Sequence, residues 1–265
     1  METAKKNLTG HTEQADATNQ QLACYLEEID FETLEVGDLL RWADQTFPGR
    51  AVISTSLQRT GVALIHLARE AGLGLRIATV DTWRLHPETY EFLEKIEQRY
   101  GCRVERIEPD SKQVASMVDR FGEYLFFDSK EKQEYCCQVR KVRPHRKLLK
   151  TADCWISGVR RDQTSRRADN TPKASLVPEY GTQRQVLKFN PLADWTEDQL
   201  SKFIEKNEIL DNPLYARGYR SIGCFICSTT AVAGEDQRAG RWRWFNEKNR
   251  QQEEDAKECG LHYNI

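Results

Sequence analysis

The stretch "RAVISTSLQRTGVALIHLAREAGLGLRIATVDT", residues 50–82, decides the architecture. Its opening, "RAVISTS" (50–56), is a short apolar run bounded by polar residues, the pattern of a buried strand. "TGVALIHLAREAG" (60–72) follows with helical spacing and a closing glycine. "GLRIATVDT" (74–82) is a second strand, ending on Asp81. A strand, a helix and a second strand in succession make a right-handed crossover, which leaves the two strands parallel.

The same unit recurs outward. "HPETYEFLEKIEQRYG" (86–101) reads as a helix with Pro87 near its start and Gly101 after its end. "CRVERIEP" (102–109) is a third strand and "CWISGVRRD" (154–162) a fourth. The expected fold class is α/β: a mostly parallel twisted sheet with helices on both faces. Such sheets bind ligands at the carboxyl ends of their strands. That places Ser54, Thr55, Ser56, Asp81, Thr82 and the span from Arg160 to Arg167 at the expected site. Further along, "TEDQLSKFIEKNEI" is an amphipathic helix with Thr196 as its N-cap. Internal repeats and low-complexity blocks are absent.

Composition narrows the function. The 265 residues carry a net charge of −2 with 39% hydrophobic and 30% charged residues. Without a basic excess, nucleic-acid and membrane-surface binding are not expected. No apolar run approaches the roughly 20 residues of a membrane span. Residues 1–21 are polar, lack the apolar centre of a signal peptide and read as a disordered tail. A cytoplasmic location is therefore expected, where eight cysteines point to metal binding or catalysis rather than disulfides.

Cys136 and Cys137 are adjacent, and Cys224 and Cys227 form a Cys-x-x-Cys. Side chains of neighbouring helical residues diverge, which is awkward around one metal ion. A cubane offers several irons and accepts such a pair at different corners, which favours a 4Fe-4S cluster. Zinc and plain core packing remain the alternatives on the residues alone. Cys24, Cys102 and Cys154 lie in apolar stretches and are assigned to packing. Cys259, in the terminal "KECGLHYNI" (257–265), sits on a polar tail. It is either a stray thiol or a nucleophile on a mobile arm. Basic residues gather in "VRKVRPHRK" (139–147), "GVRRDQTSRR" (158–167) and "DQRAGRWRW" (236–244). Many belong on solvated helix faces, but Arg forks near strand ends suit phosphate and sulfate oxygens.

Together, "VDTWRLHPETY", "CCQVRKVRP", "GVRRDQTSRRA", "KFNPLADW", "GYRSIGCFIC", "RAGRW" and "KECGLH" resemble the assimilatory sulfonucleotide reductases, closest to the iron–sulfur adenylyl-sulfate (APS) reductases. The resemblance runs from about Ala51 to His262. It implies an adenine-nucleotide hydrolase-like fold with a five- or six-stranded sheet, and a 4Fe-4S cluster on Cys136, Cys137, Cys224 and Cys227. It implies that Cys259 attacks the sulfur of APS, that AMP leaves, and that thioredoxin or a glutaredoxin-like dithiol releases sulfite from the S-sulfocysteine. Ser54 and Ser56 would lie in the phosphate loop, and Lys141 between cluster and substrate. Arg167, Arg238 and Arg241 would contact the phosphosulfate, and His262 would close the site. The domain plan is a tail (1–21), a cluster-bearing α/β domain (22–245) and a mobile C-terminal arm (246–265). Self-association is left open.

The chain departs from the family pattern in three places. The first loop reads Leu57, Gln58, Arg59, Thr60 where relatives have Gly-Ala-Glu-Asp. Trp83 replaces a glycine, and Ser228-Thr229 stand where relatives have Thr-Arg. Arg59 makes the first loop more receptive to an added phosphate, so 3′-phosphoadenylyl sulfate (PAPS) is the alternative substrate. A sulfur-transfer enzyme of the ATP pyrophosphatase type would need a Ser-Gly-Gly-x-Asp-Ser loop, absent here. A non-catalytic iron–sulfur or zinc module is the alternative of another class.

Overall fold

The structure is a computed structural model that describes residues 16–179, 182–232, 234, 235 and 237–244. Among these residues, six strands form one sheet in the order β3-β2-β1-β4-β6-β5. These are β1 (Ala51–Ser54), β2 (Arg76–Val80), β3 (Val104–Ile107), β4 (Cys154–Ile156), β5 (Ala174–Pro178) and β6 (Gln185–Phe189). Every neighbouring pair is parallel except the edge pair β5–β6. The expected α/β class and mostly parallel sheet are both present. The fourth strand is shorter than the sequence suggests: it stops at Ile156, and 157–162 turn into the site.

Alternation across the strands explains why both faces are apolar. Ile53, Cys154, Ile156, Leu187 and Phe189 share one core with Leu39, Leu40 and Ala43 of α2 (Val36–Thr46) and Ala63 and Leu64 of α3 (Arg59–Glu70). Val52 and Ala78 face the other way, onto Leu148 of α7 (Arg143–Leu149). A sheet buried on both faces is what parallel crossovers require.

The helix signals hold. α4 (Pro87–Tyr100) begins at Pro87 and stops at Gly101, whose φ of 55° is left-handed. α9 (Glu197–Lys206) opens with a reciprocal capping box between Thr196 and Gln199. One expectation is corrected at the start of the chain. Residues 16–28 form a helix, α1, so the polar tail does not extend to 21. Leu22 is buried, and Tyr25, Leu26 and Ile29 pack on the same core at helical spacing. Asn19 holds the helix to the β5–β6 turn, donating to the Gln183 carbonyl at 2.7 Å and accepting from the Gln185 amide at 2.7 Å. Cys24 is on the exposed side of that helix, so it is not a packing residue; Cys154 is fully buried and is one. Among the described residues, no helix is long and apolar enough to cross a membrane.

Candidate active site

The strand order reverses at β1, which has β2 on one side and β4 on the other. Two crossovers leave in opposite directions there and open a crevice at the carboxyl ends. A cavity of about 810 Å³ fills this position. Its walls come from the loops after β1, β2 and β4, from the chain around 133–145, and from 215–242.

The loop after β1 is held in an unusual shape. Leu57 is left-handed, with φ of 55°, which costs a non-glycine residue about 1–2 kcal/mol. Burial of its side chain among Val62, Ile65 and Phe92 offsets that cost. The Leu57 amide donates to Thr55 Oγ1 at 2.9 Å, and Gln58 donates to Ser56 Oγ at 2.7 Å. Gln58 Oε1 accepts from the Ile222 amide at 2.9 Å, which ties this loop to the Cys224 loop. Ser54 and Ser56 therefore line the cavity as expected. Gly158, after β4, passes so close to Thr60 that a Cβ would lie 2.6 Å from its Oγ1.

The loop after β2 carries a second left-handed residue, Trp83, with φ of 58°, at the position where the sequence departs from glycine. Asp81 does not enter the cavity lining. It is a brace: its Oδ1 accepts from the Trp83 amide at 2.8 Å and from the Tyr90 hydroxyl at 2.7 Å. Thr82 does line it and lies 3.2 Å from Cys224 Sγ.

Cys136 and Cys137 end α6 (Lys130–Cys137), and a π-helical turn, Gln138–Val142, follows before α7. A π turn re-aims side chains relative to an α-helix. Cys136, Cys224 and Cys227 pack in one apolar cluster with Val114, Met117, Phe126 and Trp242. Cys137 joins them on the cavity wall. The two cysteine pairs, far apart in sequence, thus line the same cavity. Burial pushes the Cys136 thiol up, and it pushes the Cys227 thiol up to about 12, with Cys224 adding to the effect. Among the described residues, no three His, Cys, Asp or Glu side chains are grouped as ligands of a single ion would be.

Sequence reasoning missed the two buried cations beside these thiols. Arg84 and Arg140 are 6% and 5% exposed. Arg84 donates to the Glu123 carbonyl at 2.8 Å and lies over the Phe126 ring. Arg140 donates to the Thr82 carbonyl at 3.2 Å. Arg84 Nη1 and Arg140 Nε are buried with no hydrogen-bond partner among the described residues. Burial, with Arg84 alongside, pulls the Arg140 guanidinium below its ordinary value. Buried donors and positive charge beside Cys136, Cys224 and Cys227 suit a group that turns those thiols into thiolates and leaves negative charge on sulfur. The residues present therefore fit a thiolate-ligated iron–sulfur cluster. Arg140 was visible in sequence inside the basic run, but the apolar cluster that buries it was not.

Lys141, Arg167, Arg238 and Arg241 all reach the cavity. Arg241 is buried beneath Gly223, where any Cβ would overlap its guanidinium, and it stacks 4.9 Å from the Trp242 ring centroid. Arg160 lines the cavity too, fully buried and held by Asp162 at 2.9 Å and Glu197 at 2.6 Å. Arg161 turns away, donating to the Thr171 carbonyl at 2.9 Å and pairing with Glu32 at 2.6 Å. Arg166 is likewise not on the cavity wall. Cys259 and His262 lie outside the described residues.

An α/β sheet with a cationic, thiol-lined crevice at its switch point defines a nucleotide-binding protein equipped for sulfur chemistry. The model of the phosphoadenosine phosphosulfate reductase domain matches residues 50–230. The chain is 39% identical over 211 residues to the adenosine 5′-phosphosulfate reductase of Allochromatium vinosum, covering 80% of this chain and 78% of that one. It is 34% identical to the enzyme of that name from Burkholderia cepacia, over 95% of this chain and 92% of that one. The solved phosphoadenylyl-sulfate reductase from Candida auris shares the fold, with a TM-score of 0.61, 24% identity, and coverage of 75% of this chain and 91% of that one. The chain belongs to the phosphoadenosine phosphosulfate reductase family, and is an oxidoreductase acting on a sulfur group.

Proposed function

We propose that the protein reduces APS to sulfite and AMP through an S-sulfocysteine on Cys259, with thioredoxin or a similar dithiol as reductant, in cytoplasmic sulfate assimilation and cysteine biosynthesis. The observation that carries this reading is the meeting of Cys136, Cys137, Cys224 and Cys227 with Lys141, Arg167, Arg238 and Arg241 on the walls of one cavity. The phosphosulfate group would lie against these cations, which offset the repulsion between its oxygens and an incoming thiolate. The Cys259 thiolate forms a bond to the sulfuryl sulfur as the sulfur–oxygen bond to the phosphate breaks, and AMP leaves with the electron pair. One thiolate of the reductant then attacks Cys259 Sγ and sulfite departs. The second thiol resolves the mixed disulfide, so the dithiol supplies the two electrons that take sulfate-level sulfur to sulfite.

Cys136, Cys137, Cys224 and Cys227 would hold the 4Fe-4S cluster. When bound, it supplies a fixed, thiolate-ligated charge centre beside the substrate cations. Arg84 and Arg140 would neutralise its ligands, and Lys141 would stand on the substrate side. The reading is tested with anaerobically purified protein, thioredoxin and each nucleotide. The expected result is sulfite release, faster from APS than from PAPS, by protein that contains iron and acid-labile sulfide. Zinc without sulfide would remove the cluster, and no sulfite from either nucleotide would remove the activity.

A further inference from the structure

By its charge, Arg59 makes the first loop more receptive to an added phosphate. In the structure its guanidinium is already engaged by protein groups. Arg59 is the first residue of α3 and lines the cavity. Its Nε and Nη2 both donate to Asp211 Oδ2, at 2.9 and 2.6 Å, and its Nη1 lies 3.6 Å from Glu197 Oε1. The guanidinium carbon lies 4.5 Å from the Tyr215 ring centroid, and the Tyr215 hydroxyl accepts from the Arg59 amide at 3.4 Å. The edges and a face of the fork are therefore engaged by protein groups.

The surroundings reinforce this. Arg160, the guanidinium on the β4 loop, is clamped in the same way by Asp162 and Glu197. Among the described residues, the Arg59 and Arg160 forks are thus both engaged by carboxylates, those of Asp162, Glu197 and Asp211. A phosphomonoester brings about two further negative charges at neutral pH. It would have to break the Arg59–Asp211 pair and leave a half-buried carboxylate against it.

We infer that Asp211, by holding Arg59, closes the nucleotide pocket to a 3′-phosphorylated ribose and makes this chain selective for a nucleotide with a free 3′-hydroxyl. The inference rests on the proposed sulfonucleotide substrate and deepens it. It makes Asp211 a specificity residue that touches no substrate and acts through Arg59.

The test is calorimetric binding of 5′-AMP and adenosine 3′,5′-bisphosphate to the full chain. Wild type should bind AMP at least as tightly as the bisphosphate. Asp211→Asn should tighten the bisphosphate about tenfold relative to AMP, the effect of releasing an Arg fork to a phosphate. Adding Arg59→Gln should cancel that gain. Arg59→Gln alone should leave the ratio within about twofold of wild type, because its fork is already closed off; Asp211→Ser, which also frees the fork, should repeat the tightening if Asp211→Asn does not fold. An unmoved ratio in folded Asp211→Asn, or a wild-type preference for the bisphosphate that Arg59→Gln abolishes, would overturn the inference. A wild type that binds neither nucleotide would overturn the sulfonucleotide reading and this inference with it, a result distinct from intact AMP binding with an unmoved ratio.

Discussion

His145 on α7 is 3% exposed, its ring packs edge-on against Trp155 at 4.6 Å between centroids, and its Nε2 has no hydrogen-bond partner among the described residues. Burial, and then the ammonium groups of Lys141 and Lys188, lower its pKa from 6.5 to about 3. The folded protein thus keeps this imidazole neutral where the unfolded chain would protonate it. With the folded value below the unfolded one, the full contribution is present above about pH 6.5 and is lost as pH falls towards 3. The slope in that window is about 1.4 kcal/mol per pH unit, so roughly 1.4 kcal/mol is lost between pH 8 and pH 5.5. His145→Leu removes the titration and keeps an apolar side chain against Trp155. Urea unfolding of both proteins at pH 8, 6.5 and 5.5 provides the assay. His66 and His86 are also lowered by burial, but they occur in both proteins and cancel in the difference. Wild type should lose about 1.4 kcal/mol more than the variant over this range. Equal losses would refute the claim that His145 is held neutral.

Two further outcomes follow from packing. Gly223→Ala puts a methyl group where the Arg241 guanidinium lies, so nucleotide affinity should drop about tenfold by calorimetry while the melting temperature shifts little; unchanged affinity would show that Arg241 does not contact the ligand. Ile53→Ala, in the fully buried centre of β1, should lower stability by about 2–5 kcal/mol in chemical unfolding; a loss under about 1 kcal/mol would mean that the core relaxes around the gap.

Sequence showed the parts of the fold whose signals are local. β1, β2, α3 and α4 announce themselves by apolar runs, by the 3.6-residue period, and by Pro87 and Gly101. The β5–β6 pair was invisible because a short strand such as "QVLKF" is made by its partners, and pairing across the sheet leaves no period in the chain. α1 was hidden by its polar face, although Leu22, Tyr25, Leu26 and Ile29 already carried the helical spacing. At the site, the cysteine pairs could be read because residue type and spacing carry chemistry, whereas Lys141, Arg167, Arg238 and Arg241 were singled out through the family resemblance. The pairing of Arg59 with Asp211 could not be read, since the partners are brought together only by the fold. The left-handed Leu57 and Trp83 mark the departures from the family pattern, and the structure shows that both loops keep their turns without glycine by fixing the backbone with Thr55 and Asp81.

The central claim is that Cys259 receives the sulfonate group. It is tested most directly by incubating wild-type protein with APS and no thiol, digesting it, and locating the adduct by mass spectrometry. The account predicts a sulfonate on the peptide containing Cys259, AMP released in equal amount, and loss of both on adding thioredoxin or in Cys259→Ser. An adduct on a different cysteine, or AMP release with Cys259 unmodified, would contradict it.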